Sequence, residues 1–156
     1  MGELWNFLSV VIPNKGERVL MLISGALGGW LSFAIGGFDL SIKWLFVFVC
    51  ADYATGMIAA FKRGIWCSRT GFRGLFKKVF LFFIVALCHG IDQMTHLEIL
   101  RNAAIMAYGV NEAGSIIENL ENLGLGKHIP SFVRRGIKTL KEKEEELFKE
   151  VDENNG

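Results

Sequence analysis

Charge is what the first half of this 156-residue chain has least of. Between Val19 and Phe61 the only charged side chains are Asp39, Lys43 and Asp52. When charge returns it has one sign. From Lys62 to Lys78 there are six bases (Lys62, Arg63, Arg69, Arg73, Lys77, Lys78) and no acid. A soluble domain gives no ready reason for an acid inside an apolar run followed by a purely basic connection. A lipid bilayer does. Cysteine is also scarce. Cys50, Cys67 and Cys88 are odd in number and form no C-x-x-C pair, so no disulfide framework is expected and all three read as thiols. No small-residue cleavage pattern follows the first apolar run, so no cleavable leader is expected. Asn6 stands where a myristoylation motif needs Ser or Thr. No nucleophile–base constellation appears, so an enzyme is not expected. Nothing calls for a cofactor or a nucleic-acid partner.

What is present is apolar. Half of the chain (51%) is hydrophobic and the mean hydropathy is positive, which places it at the membrane end of the usual range. Leu4, Trp5, Leu8, Val11 and Ile12 share one helical face before Pro13, and predict a short helix lying in the interface within an N-terminal segment 1–18 whose last residues, 14–18, form a polar turn. Residues 19–36 are free of charge and, as a helix, would cover roughly 27 Å, just enough for the hydrocarbon core. Gly25, Gly28 and Gly29 fall on one face there, and such a stripe lets two helices approach closely in lipid.

Residues 40–61 predict a second span, with Trp44 as interfacial anchor and Gly56 and Ala60 as a close-packing pair. Asp52 lies near mid-span, where its ionised form costs about 2.5–3.5 kcal/mol. It must be neutral, paired or facing water. A basic loop with Gly64, Gly71 and Gly74 as turn residues then leads to a third span over 75–95. His89, Asp92 and His96 recur along one face of it. That spacing suits a metal, but a hydrated or hydrogen-bonded helix face explains it more simply, and no metal is assigned. The fourth run, 99–117, carries Arg101, Asn102, Asn111 and Glu112, with Ala103 and Ala107 on a neighbouring small-residue stripe. Polar groups at that depth face a bundle interior or water. Beyond Gly124, Gly126 and Pro130, Ser131 opens a charged helix to about Glu150, basic first and acidic later; residues 152–156 are expected to be disordered.

These features predict an all-α membrane protein of about four transmembrane helices. A short interfacial helix precedes them and a charged cytoplasmic C-terminal helix follows. The divisions are 1–18, 19–118 and 119–156. The positive-inside rule places the loop at 62–78 and the start of the tail in the cytoplasm, and Lys15 and Arg18 place the N-terminus there too. Lys62, Arg63, Arg69, Arg73, Lys77 and Lys78 then serve as head-group and topology residues. Asp52, His89, Asp92, Arg101, Asn111 and Glu112 are the candidates for a polar intramembrane surface, with Arg101 a partner for an acid near its own depth.

One ordered set of residues resembles a known family. It comprises Asp52-Tyr53-x-Thr55-Gly56, Ala59-Ala60, the basic loop with Ser68, Gly71, Gly74 and Lys77-Lys78, and then His89-x-x-Asp92. It continues with Leu100-Arg101-Asn102, Asn111-Glu112, Ser115-Ile116-x-Glu118-Asn119, Gly124 and Pro130. Over about residues 45 to 140 the chain resembles the toxin-secretion/phage-lysis holins. The resemblance implies a non-enzymatic inner-membrane protein of the host bacterium, made late in phage infection. It would form a homo-oligomer and open lesions through which a cytoplasmic endolysin, or in some relatives a toxin, escapes without stable contact. Two other readings fit the same residues. One is a small four-helix channel or proton-coupled transporter with the buried acids as a relay. The other is a membrane scaffold that recruits a partner through its C-terminal helix.

Overall fold

The computed structural model describes residues 14–154, so the expected interfacial helix before Pro13 lies outside the described residues. Every regular element among them is helical. The chain divides at Gly37 into two units. The first contains α1, Lys15–Ala34. It starts with a capping box: the Glu17 carboxylate accepts the Asn14 N–H at 2.7 Å. Lys15, Glu17 and Arg18 occupy its first turn, which leaves residues 19–34 as the apolar part, roughly 24 Å long.

The second unit contains α2 (Leu40–Lys62), α3 (Ser68–Thr95), α4 (Leu100–Asn122), a 3-10 turn (Gly126–His128) and α5 (Ser131–Asn154). α2 and α4 run in the same direction, with α3 reversed. α4 packs along both α2 and α3, which touch each other much less. Ile42, Leu45, Val49, Val85, Leu81 and Ile105 fill the space between them. Of these three helices the poorest in apolar residues, α4, is therefore the central one. α2 and α4 both end in Schellman turns, with Gly64 and Gly124 in the left-handed region at φ 66° and 82°. α3 ends in the same way on a non-glycine residue, His96, at φ 56°.

Among the described residues, two helices are long and apolar enough to cross a membrane, Leu40–Lys62 and Gly71–Thr95. Only 17% and 11% of their most apolar windows is buried, whereas the core helix of a soluble protein would be mostly buried. α1 and α4, expected as the first and fourth spans, are not of this kind. The apolar part of α1 is short, and α4 carries Arg101 and Glu112. α3 starts at Ser68 rather than Leu75, so most of the expected basic loop is helix. Gly71 and Gly74 lie inside that helix rather than in turns. Arg69, Arg73 and Lys77, four residues apart, form an exposed stripe along it. At the other end of the chain, α5 continues past Glu150 to Asn154, into the segment expected to be disordered.

Candidate functional site

Two polar layers hold the three-helix unit together, one at the end where α2 and α4 begin and one near their midpoints, with apolar residues between. The first forms where α2 begins, α3 ends and α4 begins. Asp39 caps α2: one carboxylate oxygen accepts the Ile42 N–H at 2.9 Å. The other oxygen accepts Arg101 Nη1 at 2.7 Å. This hydrogen bond and the positive charge beside it hold the Asp39 carboxyl below its usual pKa. α4 begins at Ile99, which has no side-chain acceptor to offer its first amides. Asp92 supplies it from α3, accepting the Leu100 N–H at 3.1 Å and the Arg101 N–H at 2.8 Å. Asp92 is 3% exposed, so these bonds replace its hydration.

The second layer lies eleven residues further along α4, roughly 16 Å away. Lys78 on α3 reaches between two acids. Its Nζ donates to Asp52 Oδ2 on α2 at 2.6 Å and to Glu112 Oε2 on α4. Asn119, two turns on from Glu112, donates to Asp52 Oδ1 at 2.9 Å and to Thr55 Oγ1 at 3.3 Å. The side chains of Lys78, Asp52 and Glu112 are 16%, 12% and 5% exposed. Two carboxylates and one ammonium leave one excess negative charge if all three are ionised. A cavity of about 360 Å³ opens beside the network and is lined by, among others, Asp52, Tyr53, Trp66, Lys78, Ser115 and Asn119. Small residues leave room for it: a Cβ on Gly56 would sit 3.4 Å from Asn119, and one on Gly71 3.6 Å from the Tyr53 hydroxyl.

The structure thus brings Asp52 and Glu112 together, and places Arg101 in the other layer beside Asp39. It turns Lys78, expected at the head groups, into the network. Lys77, one residue earlier and about 100° around the helix, is exposed. Arg63, Arg69 and Arg73 are exposed as well, while Lys62 donates to the Leu123 carbonyl at 2.6 Å and closes the end of α4. His89 is half-buried and His96 forms the left-handed cap of α3. Gly56 and Ala60 are half-buried, and Gly56 faces Asn119. Gly25, Gly28 and Gly29 have open space where a Cβ would point. On α4, Ala103 and Asn111 are exposed and Ala107 is half-buried. Asn119 is not among the expected site residues, because it lies beyond the expected end of the fourth span, and Lys78 is expected at the head groups rather than between the acids.

Largely exposed apolar helices around an internal ion network define the class: a helical membrane protein whose polar groups face inward. The family follows from comparison with known proteins. A model of the bacteriophage holin family matches residues 29–142, and the chain belongs to that family, one of membrane-permeabilising, non-enzymatic proteins. An uncharacterized protein of Listeria monocytogenes is 39% identical over 103 residues, covering 65% of this chain and 71% of that one. An uncharacterized protein of Halalkalibacterium halodurans is 35% identical over 132 residues, covering 80% and 96%. A probable holin of Bacillus phage phi105 is 35% identical over 75 residues, covering 47% and 56%. No solved structure matches the chain.

Proposed function

We propose that this protein accumulates in the cytoplasmic membrane of a host bacterium, forms homo-oligomers and opens lesions. Through these a cytoplasmic wall-degrading enzyme leaves the cell. Family membership supports the class of activity. The observation that carries the reading is the Asp52–Lys78–Glu112 network inside helices whose outer faces are apolar. Charges at that depth are stable while paired, and they become a wet surface if the helices part. The network therefore supplies a closed state held by ion pairs and an open state held by water. In this reading the chain crosses four times with both termini in the cytoplasm. α4 crosses because α2 and α3 shield it, and the basic residues from Lys62 to Lys77 hold the cytoplasmic side. The endolysin needs no stable contact with the chain, only an opening.

The test is expression of the full chain alone in a bacterium that carries a folded cytoplasmic reporter enzyme. Escape of active reporter, at a time altered by Asp52→Asn, is the expected result. Selective ion flux with the reporter retained would instead identify a channel, and unaltered timing would remove Asp52 from the mechanism.

A further inference from the structure

The cavity beside the inner network has a chemistry of its own. It lies between the second half of α2, the start of α3 and the second half of α4, with a volume of about 360 Å³. Most of the polar hydrogens in its walls are already committed. Lys78 Nζ donates to Asp52 and Glu112, and the Asn119 amide donates to Asp52 and Thr55. Ser115 Oγ donates to the Asn111 carbonyl at 3.1 Å, and the Tyr53 hydroxyl donates to the Gly71 carbonyl at 3.5 Å. One Lys78 hydrogen and the Trp66 N–H are left over. The larger remaining capacity is to accept: Asn119 Oδ1, the oxygens of Ser115 and Tyr53, and the Glu118 carboxylate.

Charge points the same way. Asp52, Lys78 and Glu118 line the cavity, and Glu112 shares Lys78. α5 turns back along the end of α4 and brings Lys141 Nζ to 3.7 Å from Glu118. When all are ionised, three carboxylates meet two ammonium groups. The Glu118 side chain is 69% exposed, so Lys141 does not enclose it. An anion would add to the excess charge, and an apolar guest would leave the acceptors without hydrogen bonds. A cation that carries N–H donors answers both. The depth also suits such a group. Gly71, Gly74 and Lys78 present one face of α3 to the cavity, while Arg69, Arg73 and Lys77 on the same stretch are exposed. Exposed bases there place the stretch among the lipid head groups.

We propose that this cavity binds a primary ammonium group, carried either by a phosphatidylethanolamine head group or by a free amine. Its N–H donors meet the acceptors of Asn119, Ser115 and Glu118, and the carbon beside its nitrogen lies against the apolar wall at Met57 and Ala60. A choline head group has the same charge but no N–H, so the site discriminates against it. The inference stands apart from the lesion-forming reading, and its test measures binding rather than release.

The experiment is thermal unfolding of the purified full chain in a non-ionic detergent. Dihexanoyl-phosphatidylethanolamine, the matching phosphatidylcholine, or ethanolamine alone is titrated in. The expected result is a saturable rise of the midpoint with a primary ammonium, and an apparent affinity at least about tenfold weaker for the choline lipid. A rise with the ethanolamine lipid but not with ethanolamine supports the site and assigns the head group as the source. A rise with ethanolamine alone at comparable concentration supports the site and assigns a free amine. Glu118→Gln removes an acceptor charge and should weaken the apparent affinity about tenfold, read from the shift the ligand adds rather than from the variant's own midpoint. Glu142→Gln changes an acid of α5 outside the cavity and should leave that shift as it is. Equal responses to the ethanolamine and choline lipids would overturn the proposal, because the acceptors would then play no part. No response from the unaltered chain would overturn it, and so would equal responses from Glu118→Gln and Glu142→Gln. The lipid comparison uses the unaltered chain, so it decides the matter even if a variant fails to fold.

Discussion

Lys78 is the one cation between Asp52 and Glu112 in the inner layer, so Lys78→Met removes the common partner of two acids at once. All three side chains are at least five-sixths buried, so water does little to replace the lost ammonium. Breaking a buried pair by removing one partner costs about 3–5 kcal/mol. For a chain of this length that lowers the unfolding midpoint by roughly 6 to 20 °C. The assay is thermal unfolding of purified protein in a mild detergent, followed by circular dichroism. The neighbouring change Lys77→Met is the control. Lys77 is exposed, and its loss should stay within about 0.5 kcal/mol of the unaltered protein. A second change then separates charge from packing. Adding Glu112→Gln to Lys78→Met removes one uncompensated carboxylate, and the double variant should be more stable than Lys78→Met alone. Equal midpoints for Lys78→Met and Lys77→Met would refute the pairing. So would a double variant less stable than the single one.

Three further outcomes are expected. Asp92→Ala strips α4 of its acceptor from α3, which should cost about 1–2 kcal/mol and speed hydrogen exchange at the Leu100 and Arg101 amides. Asp39 is held below its usual pKa by Arg101, so its contribution is fully present above the unfolded value of about 3.9 and fades as pH falls through the lower folded value. Asp39→Asn should therefore flatten the pH dependence of the unfolding midpoint in that acid window and leave its slope at neutral pH unchanged. His96 occupies a left-handed position at φ 56°, and His96→Gly should raise stability by about 1 kcal/mol in the same unfolding assay.

The helices and the acids were legible in the sequence because their signals are local. An apolar run marks a helix, and Asp52 or Glu112 inside one marks a group that needs a partner. The partner itself was not legible, because pairing depends on rotation and depth. Lys77 and Lys78 look equivalent as neighbours in a string, yet about 100° of helix separates an exposed ammonium from a buried one. Arg101 lies eleven residues from Glu112, too far to reach it, and the acid its guanidinium meets is Asp39, in a turn 62 residues away in sequence. The glycines at 71 and 74 suggested a loop. Contacts with Tyr53 and continuity with the apolar run that follows outweigh their weak helix propensity. The return of α5 along α4 was hidden for a similar reason. Its docking face, Val133, Ile137 and Lys141, joins two apolar residues to a base, and nothing local in the sequence marks which helix it meets.

The central position of α4 also bears on biosynthesis. Glu112, near the middle of α4, would cost about 2.5–3.5 kcal/mol if α4 entered lipid alone. By the time α4 leaves the ribosome, α2 and α3 have already been made, and they carry Asp39, Asp92 and Lys78. Those three groups receive the Arg101 guanidinium, the first amides and the Glu112 carboxylate of α4 in turn. If α4 crosses as proposed, its insertion is templated by its predecessors, and chain order is itself part of the fold. A nascent chain stopped before Leu100 would hold the receiving groups with nothing yet to receive.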